Sequence, residues 1–148
     1  MPRIKLAVQS VYHFSHAHIV NVNDVNMGGH VGIPQLIAVL HVARREMLVY
    51  MGVDENNLGD NTALIIGDVV INLKSELHLD NILSIDSTVG EIGKKSFRFF
   101  HRVLCNGITA AIVEMGAVVI DKKTKKPVHI SPFFINQINS ILYSTCHK

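Results

Sequence analysis

The segment NDVNMGGHVGIPQL, residues 23–36, sets a carboxylate (Asp24), an amide (Asn26), an imidazole (His30) and glycines at 28, 29 and 32 just ahead of a helix start. Such a start presents backbone N–H groups with no intrahelical acceptor, at the positive end of the helix dipole. A substrate carbonyl placed there is polarised. Asp24 is near enough along the chain to reach the same point, as nucleophile or as general base through a water. The same residues also suit a plain tight connection between strand and helix, and type and spacing alone leave both readings open.

Several other chemistries are excluded. GGHVG lacks the three-glycine spacing and the βαβ setting of a dinucleotide fingerprint, and no Gly-Lys-Ser/Thr follows to make a phosphate loop. A net charge of +2 over 148 residues, with no Trp, offers neither a nucleic-acid footprint nor a stacking platform. His13, His16 and His18 cluster, but without Cys or a carboxylate set they are not read as a metal site, and no metal is expected. Cys105 and Cys146 are too far apart in sequence to suggest a disulfide framework. No apolar run reaches membrane-spanning length, and the first residues, MPRIKLAVQS, carry no signal-peptide core. The expectation is a soluble cytoplasmic protein with one domain over 1–148.

The elements that position the Gly-rich segment follow from periodicity. Residues 4–14 read as a strand, with a break at Ser15 to Ala17 and extended chain again over 18–24. Leu36, Leu40, Ala43, Met47 and Met51 recur at helical spacing, which predicts a helix over 34–51. Pro34 fits its first turn and Gly52 its end. Val39 and Val42 make it apolar nearly all round, so it reads as a helix wrapped by something. Four strands follow at 62–77, 82–90, 96–105 and 107–121, with turns at Gly93-Lys94 and Asn106-Gly107. Ser131 and Pro132 then start a short terminal helix carrying Phe134, Ile138 and Leu142. Consecutive strands without intervening helices imply an antiparallel sheet. The fold class is α+β, with a curved antiparallel sheet wrapped around a long central helix.

Asp24-Val25-Asn26-Met27-Gly28-Gly29-His30-Val31, followed by a helix carrying His41, Ala43 and Arg44, resembles the signature of hotdog-fold acyl-CoA thioesterases, the 4-hydroxybenzoyl-CoA thioesterase-like superfamily. Looser likeness extends through Ser75-Glu76-Leu77, the strand from Ala110 to Asp121, and Ser131-Pro132. The resemblance implies a hotdog fold and hydrolysis of an acyl-CoA thioester, with coenzyme A as part of the substrate and no separate cofactor. It assigns Asp24 as nucleophile or general base, His30 as a candidate catalytic group, and Gly29, His30 and Val31 as the turn that approaches the thioester. The oxyanion contact falls on backbone amides near Val31 and Gly32. His41 is a further candidate catalytic group; a polar side chain inside that helix otherwise needs a partner of its own. Ile33 and Val42 depart from a similar family variant, which has Asn and Glu there. An acyl-thioester dehydratase or hydratase, or a non-catalytic acyl-CoA-binding protein, are the alternatives.

The phosphates of coenzyme A call for cations at strand ends. Lys94, Lys95, Arg98 and Arg102 form the best local set, or else an ordinary solvated hairpin face. Only 18% of the chain is charged, and a single sheet leaves strand edges open. The resemblance points the same way, to a homodimer or higher homo-oligomer with sites at the junction.

Overall fold

The computed structural model describes residues 4–143; Cys146 lies outside them. Its elements are β1 (Phe14–Ile19), a 3₁₀ turn (Val22–Asp24), α1 (Ile33–Tyr50), β2 (Thr62–Leu73), β3 (Ile82–Gly90), β4 (Ser96–Cys105), β5 (Ile108–Asp121) and α2 (Pro132–Leu142). The strands form one antiparallel sheet in the order β1-β3-β4-β5-β2.

One face of that sheet is the core. Alternation puts Ile85 and Val89 of β3, Phe97, Phe99 and Val103 of β4, and Val113, Met115 and Val119 of β5 on it, all buried. Burying one such side chain contributes about 1.5–3 kcal/mol relative to leaving it in water. From α1, Leu36, Leu40, Ala43, Met47 and Leu48 pack down onto this face. Asn106 and Gly107, both at positive φ, turn β4 into β5 with Cys105 paired to Ile108. That is the two-residue hairpin their types predict. Ser131 caps α2 by accepting from the Phe134 amide at 3.1 Å, and Phe134 lies edge-on to Phe97.

The expected curved sheet wrapped around the helix does not form. The sheet is open: β1 and β2 are its two edges and do not meet. α1 covers one face only, and its far side leaves Ile33, Ile37, Val42, Val49 and Tyr50 exposed. The buried stripe uses up the helix face that reaches the sheet. The remaining apolar residues are surface residues, as apolar atoms commonly are in folded proteins.

The N-terminal expectation also fails. Residues 4–13 pair with no strand, and the strand instead occupies 14–19, across the expected break. The preceding segment crosses the outward face of the sheet. There the Leu6 amide donates to Asn72 Oδ1 at 2.7 Å, Tyr12 stacks under Arg102, and His13 Nδ1 sits 2.7 Å from Thr88 Oγ1. Its apolar residues Ile4, Val8 and Val11 are exposed there, so the apolar character of the segment does not mark a paired strand. β2 stops at Leu73, short of the expected 77, because the next amides, Lys74 and Ser75, both turn toward the Ala110 carbonyl.

Candidate active site

The segment from Val25 to Val31 closes as a tight loop. Val25 and Val31 form an antiparallel bridge, the Asn26 amide donates to the His30 carbonyl at 2.8 Å, and the Gly29 amide donates to the Asn26 carbonyl at 3.0 Å. Asn26 Oδ1 also accepts from the Gly28 and His30 amides, at 2.9 and 3.3 Å. Asn26 is therefore the staple of the loop. Gly29 has φ of 81° with open space around it, so its backbone conformation selects glycine. The Val25–Val31 bridge brings Asp24 alongside Gly32, the residue that caps α1.

Asp24 is held at one oxygen. Oδ2 accepts from the Asn21 amide at 2.9 Å and lies 2.7 Å from His18 Nε2, while Oδ1 makes no hydrogen bond among the described residues. The Asp24 side chain is mostly buried. His18 is inward-facing on β1, so strand, 3₁₀ turn and loop together fix the carboxylate.

Gly32 begins α1 with no side-chain cap. A side chain there would collide with Gln35 Oε1, 2.4 Å from an added Cβ, with Asn26 Nδ2 at 3.4 Å. Two side-chain amides thus converge on the bare helix start. The first turn leaves the amides of Ile33 and Gln35 without intrahelical acceptors; Pro34 has none to offer. The Val31 amide, in contrast, is already donated to the Leu77 carbonyl at 2.8 Å. Polarising donors therefore sit at and just beyond Gly32.

The structure brings Asp24, Gly29, His30, Val31 and Gly32 into one neighbourhood. His41 lies elsewhere, eight residues along α1 from Ile33, a rise of roughly 12 Å. Its half-exposed ring accepts from Arg44 Nη2 at 2.7 Å, and Arg44 Nε donates to Glu55. Arg44 is buried against Met115 Sδ and lies over the Phe99 ring. His41 and Glu55 line a separate open cleft of about 640 Å³ with Arg45, Asp54, Asn56 and Asn57.

The cationic set divides in two. Arg98 and Arg102 stand on the outward sheet face and are already neutralised. Arg98 forks onto Asp68 at 3.1 and 3.0 Å and reaches Glu114 at 3.1 Å; Arg102 reaches Asp86 at 2.7 Å. The Arg98 guanidinium holds the Asp68 carboxyl below its ordinary range. Lys94 and Lys95 are exposed in the turn before β4 and make no ion pair among the described residues.

In the sequence His18 has only a place in a histidine cluster, and Gln35 has no assigned role. The signal for His18 is tertiary, since it meets Asp24 only once the chain has turned through the 3₁₀ segment. His101 is fully buried on the core face. Its Nδ1 lies 2.7 Å from Ser87 Oγ and its Nε2 has no hydrogen-bond partner among the described residues. Burial first, and the Arg44 charge second, push its pKa down to about 3.

With this geometry in place, comparison with known proteins gives the class. The model of the thioesterase-like superfamily matches residues 20–138, and the chain belongs to that family. No curated protein matches the sequence. Among solved structures, a 1,4-dihydroxy-2-naphthoyl-CoA thioesterase from Synechocystis superposes with a TM-score of 0.79 at 16% identity, over 88% of this chain and 98% of that one. A Staphylococcus aureus protein solved in complex with CoA gives 0.79 at 15% identity, over 93% and 87%. A gentisyl-coenzyme A thioesterase gives 0.75 at 18%, over 84% and 99%. At these identities the likeness shows a shared fold. Among the described residues, no helix is long and apolar enough to cross a membrane.

Proposed function

We propose that this protein hydrolyses an acyl-CoA thioester to the free acid and coenzyme A. The observation that carries the reading is Asp24 beside the uncapped start of α1, with Oδ2 tethered and Oδ1 unbound. A thioester carbonyl at that start accepts from the first-turn amides, which stabilise the charge developing on its oxygen. Asp24 Oδ1 then takes a proton from a water that adds to the carbonyl carbon, or itself attacks that carbon. Collapse breaks the C–S bond; in the direct route the proton held by Asp24 passes to the departing sulfur, and in the covalent route coenzyme A leaves as the thiolate. In the direct route the hydroxyl of water stays on the acid. In the covalent route water releases the acid from Asp24 in a second step. His30, on the loop, flanks the substrate approach; His41 is given no step. Family membership and coenzyme A in the names of the similar structures support the substrate class.

Binding without turnover is favoured by two residues. Ile33 and Val42 are both exposed, where the family variant that the signature resembles carries polar groups. A panel of acyl-CoA esters separates the readings by thiol release. Saturable hydrolysis of at least one ester is expected; tight binding across the panel with no thiol release would favour the non-catalytic reading.

The reading includes a homo-oligomer. β2 is a long edge strand, paired among the described residues only to β5, with Ile65, Val69 and Leu73 exposed along it. Such an edge needs a cover. Native mass at assay concentration should be at least twice that of the chain, and Val69→Lys should lower mass and activity together. A fully active monomer contradicts this part.

A further inference from the structure

Glu76 and His78 lie in the connection between β2 and β3, outside the groups used for hydrolysis. Backbone pairing carries this connection to the Gly-rich loop: His30 and His78 form an antiparallel bridge, and the Val31 amide donates to the Leu77 carbonyl at 2.8 Å. The two imidazoles end with ring centroids 4.8 Å apart. Glu76 Oε2 stands between them, 3.3 Å from His30 Nδ1 and 3.7 Å from His78 Nε2. One ligand atom from each residue falls within 4.8 Å of the others.

We propose that His30, Glu76 and His78 form a binding site for a zinc-class divalent cation. Two imidazole nitrogens and one carboxylate oxygen are a donor set that suits Zn²⁺ rather than Mg²⁺ or Ca²⁺. Ligand atoms bound tetrahedrally to Zn²⁺ lie about 3.4 Å apart, given bonds of about 2.0–2.2 Å. The separations of 3.3 and 3.7 Å already approach that figure. His30 Nδ1 supplies a second, independent observation. It is shielded from solvent yet has no hydrogen bond among the described residues, because Glu76 is close enough for an ionic contact but out of line for a hydrogen bond. A polar atom in that state normally has a partner, and a metal ion supplies one. The bridge fixes the backbones of both histidines, so side-chain rotation alone is needed to close the three ligand atoms on an ion. Three protein ligands leave one position for water. A bound ion would also clamp the loop to the 76–78 segment and stabilise the folded chain.

The test is calorimetric titration of the chelator-treated full chain with zinc chloride, which reads metal affinity whether or not the protein turns over a thioester. One ion per chain is expected at this site. His30→Gln, Glu76→Gln and His78→Gln should each weaken it by at least about tenfold. His16→Gln, in the other histidine cluster, should leave the affinity unchanged. Cobalt(II) chloride should give visible absorption of tetrahedral type that the same three variants abolish. No saturable zinc binding would overturn the site, as would affinity left intact by any of the three variants or lost in His16→Gln.

Discussion

His18 Nε2 lies 2.7 Å from Asp24 Oδ2, and the two side chains come from different elements, β1 and the 3₁₀ turn. The Asn21 amide binds the same oxygen, so the carboxylate is fixed by two donors and Oδ1 is left to act. His18 is then a positioning residue. His18→Phe keeps the ring in the same space and removes the tether. We expect kcat to fall roughly 10- to 100-fold, the scale of a misplaced catalytic group, with KM changed little. His18→Gln, which can still donate to Asp24, should recover part of kcat. A loss confined to KM, or no recovery by Gln, contradicts the positioning role.

His101 makes stability depend on acid. Its pKa in the folded chain is held down to about 3 by burial first and Arg44 second. The unfolded chain takes up that proton near the ordinary value of about 6.5. Above about pH 6.5 neither state is protonated and the contribution is constant; as pH falls toward 3 the unfolded state gains. The slope approaches about 1.4 kcal/mol per pH unit for one proton. His101→Gln can still accept from Ser87 and does not titrate. Urea unfolding between about pH 7 and about pH 4.5 should show wild type losing more stability than the variant. Parallel curves contradict the assignment.

Lys94 and Lys95 are the members of the expected cationic set not already paired to carboxylates. Replacing both with Gln should raise KM for a coenzyme A ester more than for a small thioester lacking the nucleotide. A lost charge-assisted contact of about 1–2 kcal/mol corresponds to roughly 5- to 30-fold. Equal changes for both substrates would remove these lysines from the nucleotide site.

Much of the fold is legible from local pattern. The stripe Leu36, Leu40, Ala43 and Met47 places α1 to within a residue, and Asn106-Gly107 and Ser131-Pro132 mark their turn and cap. What misleads is apolar character without a partner. Val42 reads as part of a helix buried nearly all round, yet it faces solvent, because a sequence shows hydrophobicity and not which side of a helix meets the sheet. Residues 4–13 misread for a related reason: Ile4, Val8 and Val11 are exposed, and polar contacts hold the segment on the outer face. At the site, Asp24, Gly29 and Gly32 are legible because loop and helix start are contiguous in the chain. His18 at Asp24, Gln35 over Gly32, and Glu76 with His78 beside His30 depend on how separate segments meet.

The most direct test of the account is the turnover of Asp24→Asn on an acyl-CoA ester that wild type hydrolyses. The amide keeps the shape and can still accept from Asn21, but it has no oxygen able to act as base or nucleophile. The folded state of the variant is checked by its unfolding midpoint and native mass. We expect thiol release to fall by at least about 10²-fold, the usual contribution of general-base catalysis, in a variant that stays folded. Near wild-type hydrolysis by pure, folded Asp24→Asn protein would contradict the assignment of Asp24, and with it the mechanism proposed for this site.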